Sequence, residues 1–135
     1  MTIIKVPFYS TAKAPESLRN SWSSAINKVI YSGQFISGNE VDEFERNWAE
    51  RLSIRFALGT SNGQDGLILA LRALGIGQGK FVLVPAHSFI ATHNAVLNVG
   101  AIPVSIDVNK NGLIDVIQLK NIKTKIDAVI VVHMH

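Results

Sequence analysis

Cysteine is absent from the 135-residue sequence. That removes disulfides, thiolate metal sites and cysteine nucleophiles together, and it suits a reducing, cytoplasmic setting. Charge is scarce as well: Asp, Glu, Lys and Arg make up 17% of the residues, against about a quarter in an average globular chain. More surface than usual is therefore expected to be buried, against a subunit or against the remainder of a larger fold. The net charge of +3 is scattered, apart from Lys120, Lys123 and Lys125 near a helix end. A nucleic-acid face would show a basic stripe interleaved with aromatics; here the lysines read as a solvated face. No run approaches the roughly 18 apolar residues of a membrane span, and Met1–Pro7 is too short for a signal peptide. Neither nucleic acid nor membrane is expected as a partner.

What is present centres on Gly59-Thr60-Ser61-Asn62-Gly63-Gln64-Asp65-Gly66. Phe56-Ala57-Leu58 leads into it, and Leu67, Ile68, Leu71 and Leu74 leave it at helical spacing. Strand, small-residue turn and helix in succession offer free backbone N–H groups to an anion. Ser61 reads as the N-cap, with Gln64 three residues on completing a capping-box spacing. Spacing alone leaves two readings open. One is a well-capped helix start; the other is a phosphate seat made by the amides of Gly63 and Gln64 with the helix dipole.

Along the chain, residues 1–16 read as an extended arm with Pro7 and Pro15. Leu18, Trp22, Ala25, Ile26, Val29 and Ile30 then predict a helix over 17–31, stopped by Gly33. A second helix follows Gly38, capped by Asn39, with Val41, Phe44, Trp48, Ala49 and Leu52 as its buried face. From Arg55 the pattern alternates: strands near 55–59, 81–84, 102–106 and 127–132, with helices near 62–74, 88–98 and 115–121. Short apolar β runs joined by helices argue for a parallel sheet covered on both faces. The expected organisation is an arm and two helices over 1–54, then an incomplete α/β domain over 55–135. The last strand runs straight into His135, so the domain reads as cut at the ligand-facing tip of a central strand.

Several constellations have a plainer reading beside the functional one. Gly75-Ile76-Gly77-Gln78-Gly79-Lys80 fails the P-loop spacing and precedes a strand, so it reads as a helix stop and turn. Phe89 is either a ring that stacks on a flat heteroaromatic ligand or an ordinary core phenylalanine. His133 and His135 share a strand face, with His87 at the same sheet edge. No carboxylate pattern or third spaced ligand accompanies them, so no metal is assigned, and His87 and His133 read as lining a polar ligand cavity. His93, on a helix surface, reads as structural or exposed, and Asp107 as a turn cap.

Four stretches together resemble one family: Ser32-Gly33 through Phe44-Glu45, Gly59 through Leu67, Val84-Pro85-Ala86-His87-Ser88-Phe89-Ile90-Ala91-Thr92, and Gly100 through Val108. In order and spacing they resemble the N-terminal part of the DegT/DnrJ/StrS family of pyridoxal-phosphate sugar aminotransferases. The resemblance implies the N-terminal part of a fold-type I large domain, a mostly parallel sheet flanked by helices and preceded by two helices. It implies that Gly63 and Gln64 hold the cofactor phosphate and that Phe89 stacks on the pyridine ring. Thr is usual in the family where Gln64 stands, so a side-chain amide replaces a hydroxyl there. His133 matches the histidine of a His-Leu-Tyr-Gly-type segment.

The family's Schiff-base lysine and its pyridine-nitrogen aspartate have no counterpart here. None of the lysines lies in a Ser-x-x-Pro-x-Lys setting. The expected function is thus an N-terminal fragment of an aminotransferase that passes an amino group from glutamate to a keto-sugar nucleotide, inactive alone. By the same resemblance it pairs as a homodimer or with a complementing chain. The alternatives are a non-catalytic dimerising or ligand-binding α/β module, or one half of a split enzyme.

Overall fold

Residues 14–134 are described in a computed structural model, so residues 1–13 of the expected arm, with Pro7, and His135 lie outside the described residues. The chain divides into two compact units, one through Gly59 and the other from Thr60.

In the first unit, α1 spans Glu16–Ser32 and α2 spans Asn39–Arg51. Pro15 precedes α1, and its carbonyl accepts the amides of Leu18 and Arg19 at 3.0 and 3.1 Å. Gly33 closes α1 at φ 69°, a left-handed conformation that a side chain would strain. Gly38, not Asn39, occupies the cap of α2, and no side chain caps it. A Cβ at Gly38 would stand 3.0 Å from the Gln34 carbonyl, so the close backbone approach selects glycine there. Only Ala49 of the expected α2 face is buried; Val41, Phe44, Trp48 and Leu52 are exposed. Helical spacing gathered them into a stripe, with Phe44 and Trp48 stacked at 5.8 Å, but burial needs a second layer over it. The strand expected at 55–59 does not form. A strand exists only by its ladder, and here the Gly59 N–H donates to Glu45 Oε1 at 2.6 Å instead.

The second unit holds a parallel three-stranded sheet in the order β2-β1-β3, with β1 Phe81–Pro85, β2 Ile102–Ile106 and β3 Ala128–Val129. Leu83 lies opposite both Val104 and Val129. The helices are α3 Gly63–Ala73, α4 Ala91–Asn98 and the single turn α5 Val116–Leu119. Val82 and Val84 pack with Leu71, Ile76, Ala95, Val96 and Ala101 in one core cluster. Leu83, between those valines, points to the opposite face and is buried too, as expected of a central parallel strand.

The last strand is shorter than the apolar run 127–132 suggested. Ile130 still donates to the Leu83 carbonyl at 2.9 Å, but β1 ends at Pro85, which has no N–H to extend a ladder. Gly75 and Gly79, at φ 71° and 75°, turn the chain from α3 into β1, as the glycine pattern indicated. Asp107 caps its own turn weakly, at 3.3 Å to the Val108 amide. The main turn cap is Asn109, whose Oδ1 accepts from Asn111 at 2.9 Å and Leu113 at 3.3 Å.

Candidate functional site

The N-terminus of α3 is capped by Asn62, not Ser61. Asn62 is extended, and its Oδ1 accepts the Asp65 N–H at 2.9 Å. Its Nδ2 donates back to Asp65 Oδ2 at 2.9 Å, and Ser61 Oγ donates to that same oxygen. The capping pair is therefore Asn62 with Asp65, one residue later than the Ser61–Gln64 spacing, and its return bond runs between side chains. Asp65 sits where the dipole favours an anion, and its two neutral donors satisfy its carboxylate. The Asn62 carbonyl accepts Gly66 at 3.1 Å. Two amides remain: among the described residues, neither Gly63 N–H nor Gln64 N–H donates to a protein acceptor. A Cβ built on Gly63 would meet nothing within 4 Å, so this corner is open.

Phe89 follows β1 in the loop that leads to α4. Its side chain is 71% exposed, which excludes the reading as a core phenylalanine. Together with Asn62, Gly63, Gln64, Leu67 and Ala91 it lines one open concavity of about 510 Å³. Two unpartnered amides, a helix dipole and an accessible aromatic face thus meet at one place. Such a set can hold a small anion joined to a flat ring.

His87 is exposed on the same loop and is not among the residues lining that concavity. His133 lines a different, apolar concavity of about 310 Å³, with Leu113, Val116, Leu119, Val129 and Val131 among its neighbours. The structure therefore brings Gly63, Gln64 and Phe89 together but does not bring either histidine to them. His93 Nε2 lies 3.2 Å from Ser105 Oγ, tying α4 to β2. Among the described residues no three His, Asp or Glu side chains converge as a metal site. Sequence reasoning missed Asn62, Leu67 and Ala91. The Asn-x-x-Asp spacing was the available signal for Asn62; nothing local marks the other two.

A family model described as the DegT/DnrJ/EryC1/StrS aminotransferase family matches residues 16–135. A dTDP-3-amino-3,4,6-trideoxy-alpha-D-glucose transaminase of Streptomyces venezuelae is 42% identical over 103 residues, covering 76% of this chain and 27% of that protein. A 3-oxo-glucose-6-phosphate:glutamate aminotransferase of Bacillus subtilis is 37% identical over 112 residues, 79% of this chain and 24% of that one. The crystal structure of Bacillus subtilis NtdA with bound cofactor PMP is similar with a TM-score of 0.86 at 31% identity, covering 99% of this chain and 32% of that chain. The chain spans about a third of the length of the relatives it matches, or less.

Proposed function

The chain belongs to the DegT/DnrJ/EryC1/StrS aminotransferase family, and from that premise we propose that it is the phosphate-holding, N-terminal part of a pyridoxal-phosphate-dependent aminotransferase for keto-sugar nucleotides. The observation that carries the reading is the shared concavity of Gly63, Gln64 and Phe89. Gly63 and Gln64 donate their free amides to the cofactor phosphate, where the α3 dipole adds to the attraction. Phe89 lays its exposed face against the pyridine ring and keeps water off it. The fit is physical: among the described residues the amides find no acceptor, the corner at Gly63 is open, and the ring is uncovered.

When bound, pyridoxal phosphate supplies the electron sink and the carrier for the transferred amino group. That chemistry also needs a lysine on the cofactor and a carboxylate at its ring nitrogen. No lysine here stands in the family's motif setting. The chain alone therefore binds and orients but does not transaminate, and it works as a homodimer or with a complementing chain. Glutamate is the donor in this reading, supported by the name of the Bacillus subtilis relative. The sugar nucleotide is supported by the Streptomyces venezuelae relative. His87 and His133 are assigned to the substrate because they follow β1 and β3, on the carboxyl side of the strands where open α/β sheets take ligands.

Equilibrium titration with pyridoxamine 5′-phosphate and with inorganic phosphate tests the site. Saturable binding of both, tighter for the ring-bearing probe, is expected. Binding of neither would overturn the reading. Adding glutamate to the chain mixed with pyridoxal phosphate is expected to leave the absorption spectrum unchanged; a shift would refute the inactivity.

A further inference from the structure

Thr92 is a buried polar side chain, 5% exposed, in the first turn of α4. Its neighbours on that helix, Ala95 and Val96, belong to the apolar core. Valine has nearly the same shape and would bury without desolvating an oxygen, whereas a threonine hydroxyl costs free energy in such a place unless it is paired. The pairing is specific: Thr92 Oγ1 lies 2.6 Å from Ser88 Oγ. Between the two hydroxyls sits Phe89. The Thr92 N–H closes the same turn on the Phe89 carbonyl at 3.0 Å.

The Phe89 ring is 71% exposed, so surrounding side chains do little to hold it. Its direction has to come from the backbone that carries it. A hydroxyl pair across residues 88 and 92, anchored in the core at one end, fixes that backbone.

We propose that Thr92 is a positioning residue: its buried hydroxyl latches Ser88 and thereby aims the Phe89 ring into the concavity. This rests on the cofactor reading for its purpose, but the latch itself is a property of the ligand-free chain. Ala91, inside the latched turn, lines the same concavity. The latch therefore sets one wall of the site.

Thr92→Val, Thr92→Ser and Ser88→Ala in the full chain test it with two readouts. The first is amide hydrogen exchange over residues 89–92 without ligand. The second is the dissociation constant for pyridoxamine 5′-phosphate beside that for inorganic phosphate. Losing one hydrogen bond is expected to speed exchange by about fivefold in both T92V and S88A. The ring-bearing probe should weaken by a similar factor while inorganic phosphate stays within about twofold, and T92S should restore both readouts. S88A removes the pair without touching the core, so it decides the matter if T92V fails to fold. Unchanged exchange in S88A would overturn the latch, as would T92S behaving like T92V. Equal weakening of both probes would overturn the aiming role. If neither probe binds the unaltered chain, the cofactor reading fails, and hydrogen exchange still decides whether the latch exists.

Discussion

Phe89 is the residue on which binding and folding part company. A ring that is 71% exposed gives little to the core, so Phe89→Ala is expected to leave the unfolding free energy within about 0.5 kcal/mol. Loss of a stacking face should weaken pyridoxamine 5′-phosphate by about fivefold, measured by titration. The position of this residue was legible because a motif named it. The cap was not, since Ser61 and Asn62 are both good capping residues and adjacent in sequence. What selects Asn62 is the reciprocal bond between its side chain and Asp65, a geometry that spacing does not rank. Neither His87 nor His133 lines the concavity of Gly63, Gln64 and Phe89. His87 stands two places past the end of β1 and His133 four places past the end of β3, where no ladder fixes the direction of a side chain.

Among the elements, α3 carries the amides and its start is set by one side chain. Asn62→Ala is expected to cost about 1 kcal/mol in urea unfolding, because the Asp65 amide then loses its acceptor. Leu71, on the same helix and 4% exposed, anchors it to the sheet. Leu71→Ala should cost about 2–5 kcal/mol, a large share of a small domain's total stability. The helices were legible from their 3.6-residue spacing because that pattern is local. The strands were legible only where a partner exists. Residues 55–59 have β composition, yet the Gly59 amide finds Glu45 instead of a ladder. Residues beyond Val129 carry an apolar run, yet Pro85 offers them no donor.

At the scale of the molecule, the start of the sheet is clipped by charge. Asp127 accepts from the Phe81 N–H at 3.0 Å and meets Lys80 at 3.3 Å and Lys125 at 4.0 Å. The Phe81 amide is the main cause holding its carboxyl below the ordinary carboxylate range, against partial burial and with help from the lysines. A lowered folded value means the clip is fully present above the unfolded carboxylate pKa near 4 and is lost as pH falls through the folded one. The melting temperature should therefore fall on acidification below about pH 4, and Asp127→Ala should be less stable at pH 7 with a flatter acid limb. The low charge led to the expectation of surface buried against a subunit or further chain, and in this chain the apolar Val131 and Ile117 are 63% and 74% exposed. Their spacing gave no indication of which elements they would face.

One titration bears on the centre of all this: amide-resolved NMR of the full chain with pyridoxamine 5′-phosphate. Saturable shifts at the Gly63 and Gln64 amides, together with ring-current shifts around Phe89, are the expected result. Binding that leaves those amides unmoved, or moves a different surface, would contradict it.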